Sequence, residues 1–257
     1  MDEIATWYKG IPTITKFLFT NFVVITLAGY FVVIIFGPRL YGIFWYSPFL
    51  IFTKFQIWRF YTAFFYVPFG FDLKGLSYVF QAYFLYRHSL ELETSRFAGR
   101  KADYIYFLLV EAGLILILGW YIEYITYHLS ECLIMAIIYL WSQEFRDTIV
   151  TFLFGIRFKG AYFPWVLLAF ELIQMQNIWP TAIGILSGHI YYYLMDLYPA
   201  AGGPRLLNTP RWLYRYFPPL SSGARTSFGT AFSARNQNTA GEGSTHKWGR
   251  GRRLGSS

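Results

Sequence analysis

The sequence predicts an all-α integral membrane protein of six spans, followed by a basic, disordered C-terminal tail. Three observations carry this. The chain has 257 residues, of which 55% are hydrophobic, 23% aromatic and only 14% charged, against roughly 25% charged in an average soluble domain. The apolar residues gather into runs of a length that can cross a bilayer. The net charge of +8 sits entirely beyond residue 199, where nine Lys and Arg face the single acid Glu242, so that residues 1–199 sum to zero. A soluble fold of this size could not bury so much apolar surface and keep a polar exterior. The expected organisation is a membrane domain over 1–199 and a tail over 200–257. That tail is rich in Gly, Ser, Asn and Thr, and about 218–257 buries too little to offset its ordering entropy.

The first span is expected at about 15–36. Residues 17–38, between Lys16 and Arg39, hold no charge over 22 positions, enough to cross about 30 Å of hydrocarbon. This run is too long for a signal peptide and is read as a retained helix. Residues 38–73 contain Pro38, Pro48, Pro68, Lys54 and Arg59 among many aromatics. They read as a long interfacial loop with short helices, since Trp and Tyr rings favour the headgroup region. Further spans follow at about 74–90, 103–122, 131–144, 160–175 and 179–197. The polar loop Arg87 to Asp103, the acidic loop Ile122–Ser130 and an interfacial segment at 145–160 separate them.

Six spans put both ends on one side. The loops on that side carry Arg87, Arg96, Arg100, Lys101, Arg146, Arg157 and Lys159, whereas 122–130 and 175–179 carry no Lys or Arg. The positive-inside rule then makes both termini cytosolic. The second and fourth spans have only 12 residues between charges, about 18 Å of helix. Snorkelling ends recover part of the deficit. Local thinning of the bilayer or burial within the bundle must supply the rest.

Chemistry is sparse. Cys132 is the only cysteine, which excludes an intrachain disulfide or a cysteine zinc site, and no metal or cofactor is expected. No GxSxG, HExxH or P-loop occurs. Ser130 and Ser142 on the fourth span lack the small neighbours of an activated serine. His189 on the sixth is the one candidate base, so no catalytic residue is assigned. Glu111, Glu171, Gln81, Gln174 and Asp196 also fall in or near spans, where polar groups are costly. Trp58-Arg59 places a guanidinium near hydrocarbon, where it needs a phosphate, carbonyl or carboxylate partner; the plainer reading is an ordinary interface anchor. Gly184 and Gly188 form a GxxxG that lets a second backbone approach closely, or arise by chance in an apolar helix. Trp248-Gly249-Arg250-Gly251-Arg252-Arg253-Leu254 ends the chain as an aromatic, basic linear motif. A single short Gly/Arg copy on a membrane protein does not argue for nucleic acid as partner.

Several segments together resemble one family, the derlins, rhomboid-like pseudoproteases of the endoplasmic reticulum. They are Trp58-Arg59; Leu92-Glu93-Thr94 with Phe97, Gly99-Arg100 and Ala102-Asp103-Tyr104; Arg146-Asp147; Phe154 to Lys159; Tyr162-Phe163-Pro164-Trp165; and Gly184-x-x-x-Gly188-His189. The resemblance implies a rhomboid-like bundle of six spans in the endoplasmic reticulum membrane. It implies a role in ER-associated degradation, helping misfolded proteins return to the cytosol. Trp248, Gly249, Gly251, Arg253 and Leu254, within 248–254, are similar to the SHP box that binds the valosin-containing AAA ATPase. In this chain Trp248 stands where the general box has Phe, and the glycine spacing is narrower. Met135-Ala136-Ile137-Ile138 occupies the place where rhomboid proteases carry Gly-x-Ser, which implies a lost nucleophile. Further expected partners are a membrane ubiquitin ligase complex, misfolded clients and other copies of the chain. The alternatives are a residual intramembrane protease and a scaffold that only recruits the ATPase.

Overall fold

Proline and glycine punctuate the chain. Pro12 precedes α2 (Thr13–Phe36), and Gly37, at φ 84, ends it. Pro48 opens α3 (Pro48–Lys54), while Pro164 and Pro180 sit in the first turns of α8 (Phe163–Ile173) and α9 (Trp179–Tyr192). Such positions need no donor from the proline nitrogen. The other helices are α1 (Asp2–Gly10), α4 (Trp58–Thr62), α5 (Leu73–Thr94), α6 (Lys101–Tyr121), α7 (Leu129–Glu144), α10 (Tyr198–Ala200) and α11 (Arg211–Tyr216). This computed structural model describes residues 2–67, 73–121, 129–152, 155–175 and 177–219. The disorder expected from residue 220 onward, the motif at 248–254, most of the loop 122–130 and Phe154 lie outside the described residues.

The described chain is mostly helical. Among the described residues two helices, Thr13–Phe36 and Lys101–Trp120, are long and apolar enough to cross a membrane, and Gly160–Ile173 is a shorter apolar helix. The second expected span does not stop at residue 90. Helix α5 runs on to Thr94 because its late acids turn inward instead of ending it. Trp141 Nε1 donates to Glu91 Oε2, and Glu93 is buried against α2. The segment 145–160 contains an antiparallel hairpin of β1 (Ile149–Thr151) and β2 (Arg157–Lys159), with Val150 opposite Phe158, a small departure from an all-α chain. The fifth expected span opens with a 3-10 turn at Gly160–Tyr162, leaving 11 residues of α-helix. The sixth passes from α9 into a π-helical stretch at Tyr193–Leu197.

Helix α7 is the centre. Nearly every residue from Leu129 to Ser142 is buried, as expected of a helix that is apolar all round. Helix α9 lies against it through its two glycines. A Cβ at Gly184 would sit 2.5 Å from the Cys132 carbonyl oxygen and 2.6 Å from Met135 Cβ. At Gly188 it would meet Tyr139 Cβ at 3.0 Å and the Ala136 carbonyl oxygen at 3.2 Å.

A second tie fixes α2. The first turn of any helix leaves N–H groups without intrahelical partners, and α2 has no cap from its own preceding residue. Glu93 on α5 supplies it. The N–H groups of Ile14 and Thr15 donate to its two oxygens at 3.0 and 2.7 Å, and the Thr15 hydroxyl donates at 2.8 Å. The Thr15 hydroxyl also meets Ser89, which in turn meets Tyr104 OH on α6 at 2.7 Å. One polar chain thus joins α2, α5 and α6 inside the bundle.

Two outcomes follow, both read by unfolding titrations in detergent micelles. Glu93→Ala leaves two buried N–H groups unmatched and removes one of the two partners of the Thr15 hydroxyl; it is expected to cost about 3 kcal/mol, with Glu93→Gln intermediate because its amide offers one acceptor oxygen. Gly184→Ala is expected to destabilise by about 1–3 kcal/mol through overpacking against backbone. Gly188→Ala, with looser contacts and a helix-propensity gain of about 1 kcal/mol, should stay near the parent.

Candidate functional site

The loop after α2 is partly inside out. Tyr46 and Ile51 turn inward, but Phe49, Phe52, Phe55, Ile57, Trp58 and Tyr61 are all exposed, Phe55 at 78%. Lys54 stays on the surface, whereas Arg59 points inward and is only 5% exposed. In water this arrangement would be unfavourable on both counts. Against hydrocarbon it hides the charge and offers rings to lipid.

Arg59 gathers the loop. Its Nη1 donates to the carbonyls of Gly42 and Trp45 at 2.6 and 2.7 Å, and its Nε donates to Gln56 Oε1 at 2.6 Å. Gly42 lies in the 3-10 helix Pro38–Phe44, so the guanidinium clamps this turn to the α3–α4 corner. Phe55, at φ 51, caps the end of α3 in the left-handed conformation just before Gln56. Burial lowers the Arg59 pKa from its ordinary value. Trp58 is half-exposed on the outer side. The loop then returns to α2: Tyr61 OH donates to Asn21 Oδ1 at 2.6 Å, and Thr26 Oγ1 donates to the Phe65 carbonyl at 3.2 Å. The sequence pointed to Trp58 and Arg59 but not to Gln56. An amide three residues before the arginine, one helical turn away, was the available signal.

A polar group sits at the end of the bundle away from the basic loops. Gln81 Nε2 on α5 donates to Glu131 Oε1 on α7 at 2.8 Å, and Thr181 Oγ1 on α9 donates to Glu171 Oε1 on α8 at 2.7 Å. Four helices thus contribute polar side chains to this end of the bundle. At the basic end α5 and α8 meet through rings, Phe84 and His88 against Phe163. Glu111 is fully buried on α6, and among the described residues neither of its carboxyl oxygens has a hydrogen-bond partner.

The serines and the histidine are not brought together. Ser130 Oγ donates to the Tyr66 carbonyl, and Ser142 Oγ to the Tyr139 carbonyl. The exposed His189 pairs with Tyr139 OH at 2.7 Å through Nδ1. Among the described residues no group of His, Cys, Asp or Glu is arranged to hold a metal. Gln174 lies on the surface beyond α8, near its own helix carbonyls.

At the basic end Arg96 bridges Glu144 of α7 at 3.0 Å and Asp196 of the π-helical stretch at 2.6 Å. Burial alone would lower its pKa, but the two acids raise it above the ordinary guanidinium value. Asp196, read as a residue near a span end, is half of this bridge.

The clamp predicts graded losses. Arg59→Ala removes donors from two carbonyls and is expected to destabilise the loop by about 3 kcal/mol. Gln56→Ala and Arg59→Lys should fall between it and the parent, because a point charge lacks the planar fork. Hydrogen exchange over 42–62 in lipid discs checks the order; equal exchange in Arg59→Ala and parent would contradict it.

A family model described as the Der1-like family matches residues 11–211. The chain is 42% identical to Derlin-1 of Bos taurus over 99% of both chains, and 41% identical to Derlin-1 of Homo sapiens over 99% of both. It is 36% identical to the probable derlin-2 homolog of Dictyostelium discoideum over 80% of each. The chain of residues that includes the inward-facing Arg59, the Glu93 cap and the Gly184–Gly188 seam therefore belongs to the Der1-like family.

Proposed function

We propose that the protein is a multi-pass endoplasmic reticulum membrane factor of ER-associated degradation that eases misfolded proteins back to the cytosol. Family membership supports the derlin role. The observation that carries the mechanism is helix length. Helix α5 has 22 residues and α9 runs on through the π-helical stretch to Ala200, but α7 and α8 have only 16 and 11 residues, about 24 and 16 Å, each below a hydrocarbon core of about 30 Å. A bilayer matched to them is locally thin, which lowers the barrier for a polar segment. The polar atoms of Gln81, Glu131, Glu171 and Thr181 offer such a segment partners at the end opposite the basic loops, between the second and fifth spans. Trp58 and Arg59 hold the first loop at its depth in the interface.

In this reading the chain has six spans and both termini face the cytosol, following the basic loops. The motif Trp248, Gly249, Gly251, Arg253 and Leu254 recruits a valosin-containing-type AAA ATPase, which supplies the pull. A membrane ubiquitin ligase complex and further copies of the chain complete the assembly. The protein itself is not an enzyme. The hydroxyls of Ser130 and Ser142, each bonded to a backbone carbonyl while His189 pairs with Tyr139, support this over a residual protease.

Trp248→Ala with Leu254→Ala is expected to reduce ATPase capture at least roughly thirtyfold, the loss of an anchor worth about 2 kcal/mol, with membrane insertion intact. Unchanged capture would remove the tail from the mechanism. In cells lacking the endogenous protein, Arg59→Ala should slow client degradation at matched expression, whereas Ser130→Ala and Ser142→Ala should not abolish it. A cleaved client that disappears on serine substitution would return the protein to the protease class. Full transport by a variant without residues 248–254 would contradict ATPase recruitment; partial transport would exclude a mere scaffold.

A further inference from the structure

The fold does not end with the last expected span. After Pro199 the chain turns at Gly202, φ 93, and runs back to α6. Thr209 Oγ1 donates to Asp103 Oδ1 at 2.7 Å, Tyr214 OH donates to the same oxygen, and Arg100 bridges the other oxygen at 3.4 Å. Leu213 is 2% exposed. These contacts pin α11 to the first turn of a helix whose membrane-crossing run begins at Lys101. The segment therefore has a fixed depth, level with the edge of the hydrocarbon.

Its outer surface has a definite chemistry. Arg211 and Arg215 form one exposed stripe at helical spacing, and Trp212 and Tyr216 form the next. Arg205, Leu206 and Phe217 extend it. No acid occurs between Asp196 and Pro219. Aromatic rings alternating with arginine at this depth suit a headgroup layer, where rings insert and guanidinium groups bind phosphate.

We infer that residues 205–217 form an interfacial anchor that binds the anionic phospholipid headgroups of the leaflet bordering the basic loops. That this leaflet is the cytosolic one rests on the proposed orientation; the lipid chemistry does not. Anionic lipid is favoured over zwitterionic because three arginines face outward without a compensating acid in the segment, and each is worth roughly fivefold near a charged leaflet.

The test uses the full chain in lipid discs of phosphatidylcholine alone or with added phosphatidylserine, and follows hydrogen exchange over 205–217. Exchange should slow at least about tenfold when phosphatidylserine is present, and high salt should reverse this. The variant R205E/R211E/R215E should lose the lipid difference while exchange in α7 and α9 stays unchanged, which separates loss of the anchor from loss of fold. Equal exchange in both lipids, or a difference that survives the triple substitution, would overturn the proposal. So would protection that arises only on adding a protein partner, which would make this a protein-docking surface. Discs expose both leaflets, so this readout is independent of orientation. Orientation is read separately by protease digestion of the C-terminus in sealed microsomes.

Discussion

The carboxylate of Glu93 is the interaction on which much of the rest depends. Hydrocarbon offers no donor or acceptor to the unmatched backbone groups at a helix start. Helix α2 begins at a proline with no cap of its own, so its first N–H groups must be satisfied from elsewhere. A bidentate acceptor on α5 does this at the positive end of the α2 dipole. Because the acceptor belongs to another helix, satisfying the backbone also fixes how α2 and α5 stand together. The Thr15–Ser89–Tyr104 hydroxyl chain carries that register to α6.

With α2, α5 and α6 set by polar bonds, the other half is set by steric fit. Helix α7 is enclosed, and α9 approaches its backbone along Gly184 and Gly188. Between apolar helices in lipid, close packing supplies much of the attraction that the hydrophobic effect supplies in water. This division leaves α8 with the fewest constraints. It is the shortest of the bundle helices, and Ile173 and Met175 at its far end are almost fully exposed. The polar atoms of Glu171 and Thr181 sit at that same end.

The main helices were legible because charge and proline mark their ends. Lys16 and Arg39 bracket the uncharged run of α2, and Pro180 opens α9. One border was not legible. Arg87 was read as opening a polar loop, since a charge in an apolar run normally marks its border, yet the helix continues past it to Thr94, with Glu91 and Glu93 held by tertiary partners. The hairpin at 149–159 escaped because each strand has three residues, too few for a period-two pattern to stand out. At the loop, Arg59 was found by the cost of placing it near lipid. Its partners were not, because two of them are backbone carbonyls of Gly42 and Trp45 and carry no side-chain signature. The joint presence of Gln81, Glu131, Glu171 and Thr181 likewise depends on four helices converging, which spacing along one chain does not encode.

The bond from Tyr214 and Thr209 to Asp103 has a mechanical meaning. Any tension on the chain beyond Pro219 reaches Tyr214 and Thr209 before it reaches α9, and there it passes sideways into the first turn of α6. The load is shared by α6 and by the Arg96 bridge, which ties the turn before α6 to Asp196 in the π-helical stretch after α9. Rooted in this way, the tether delivers its load to α6 before it reaches the glycine seam that holds α9 to α7.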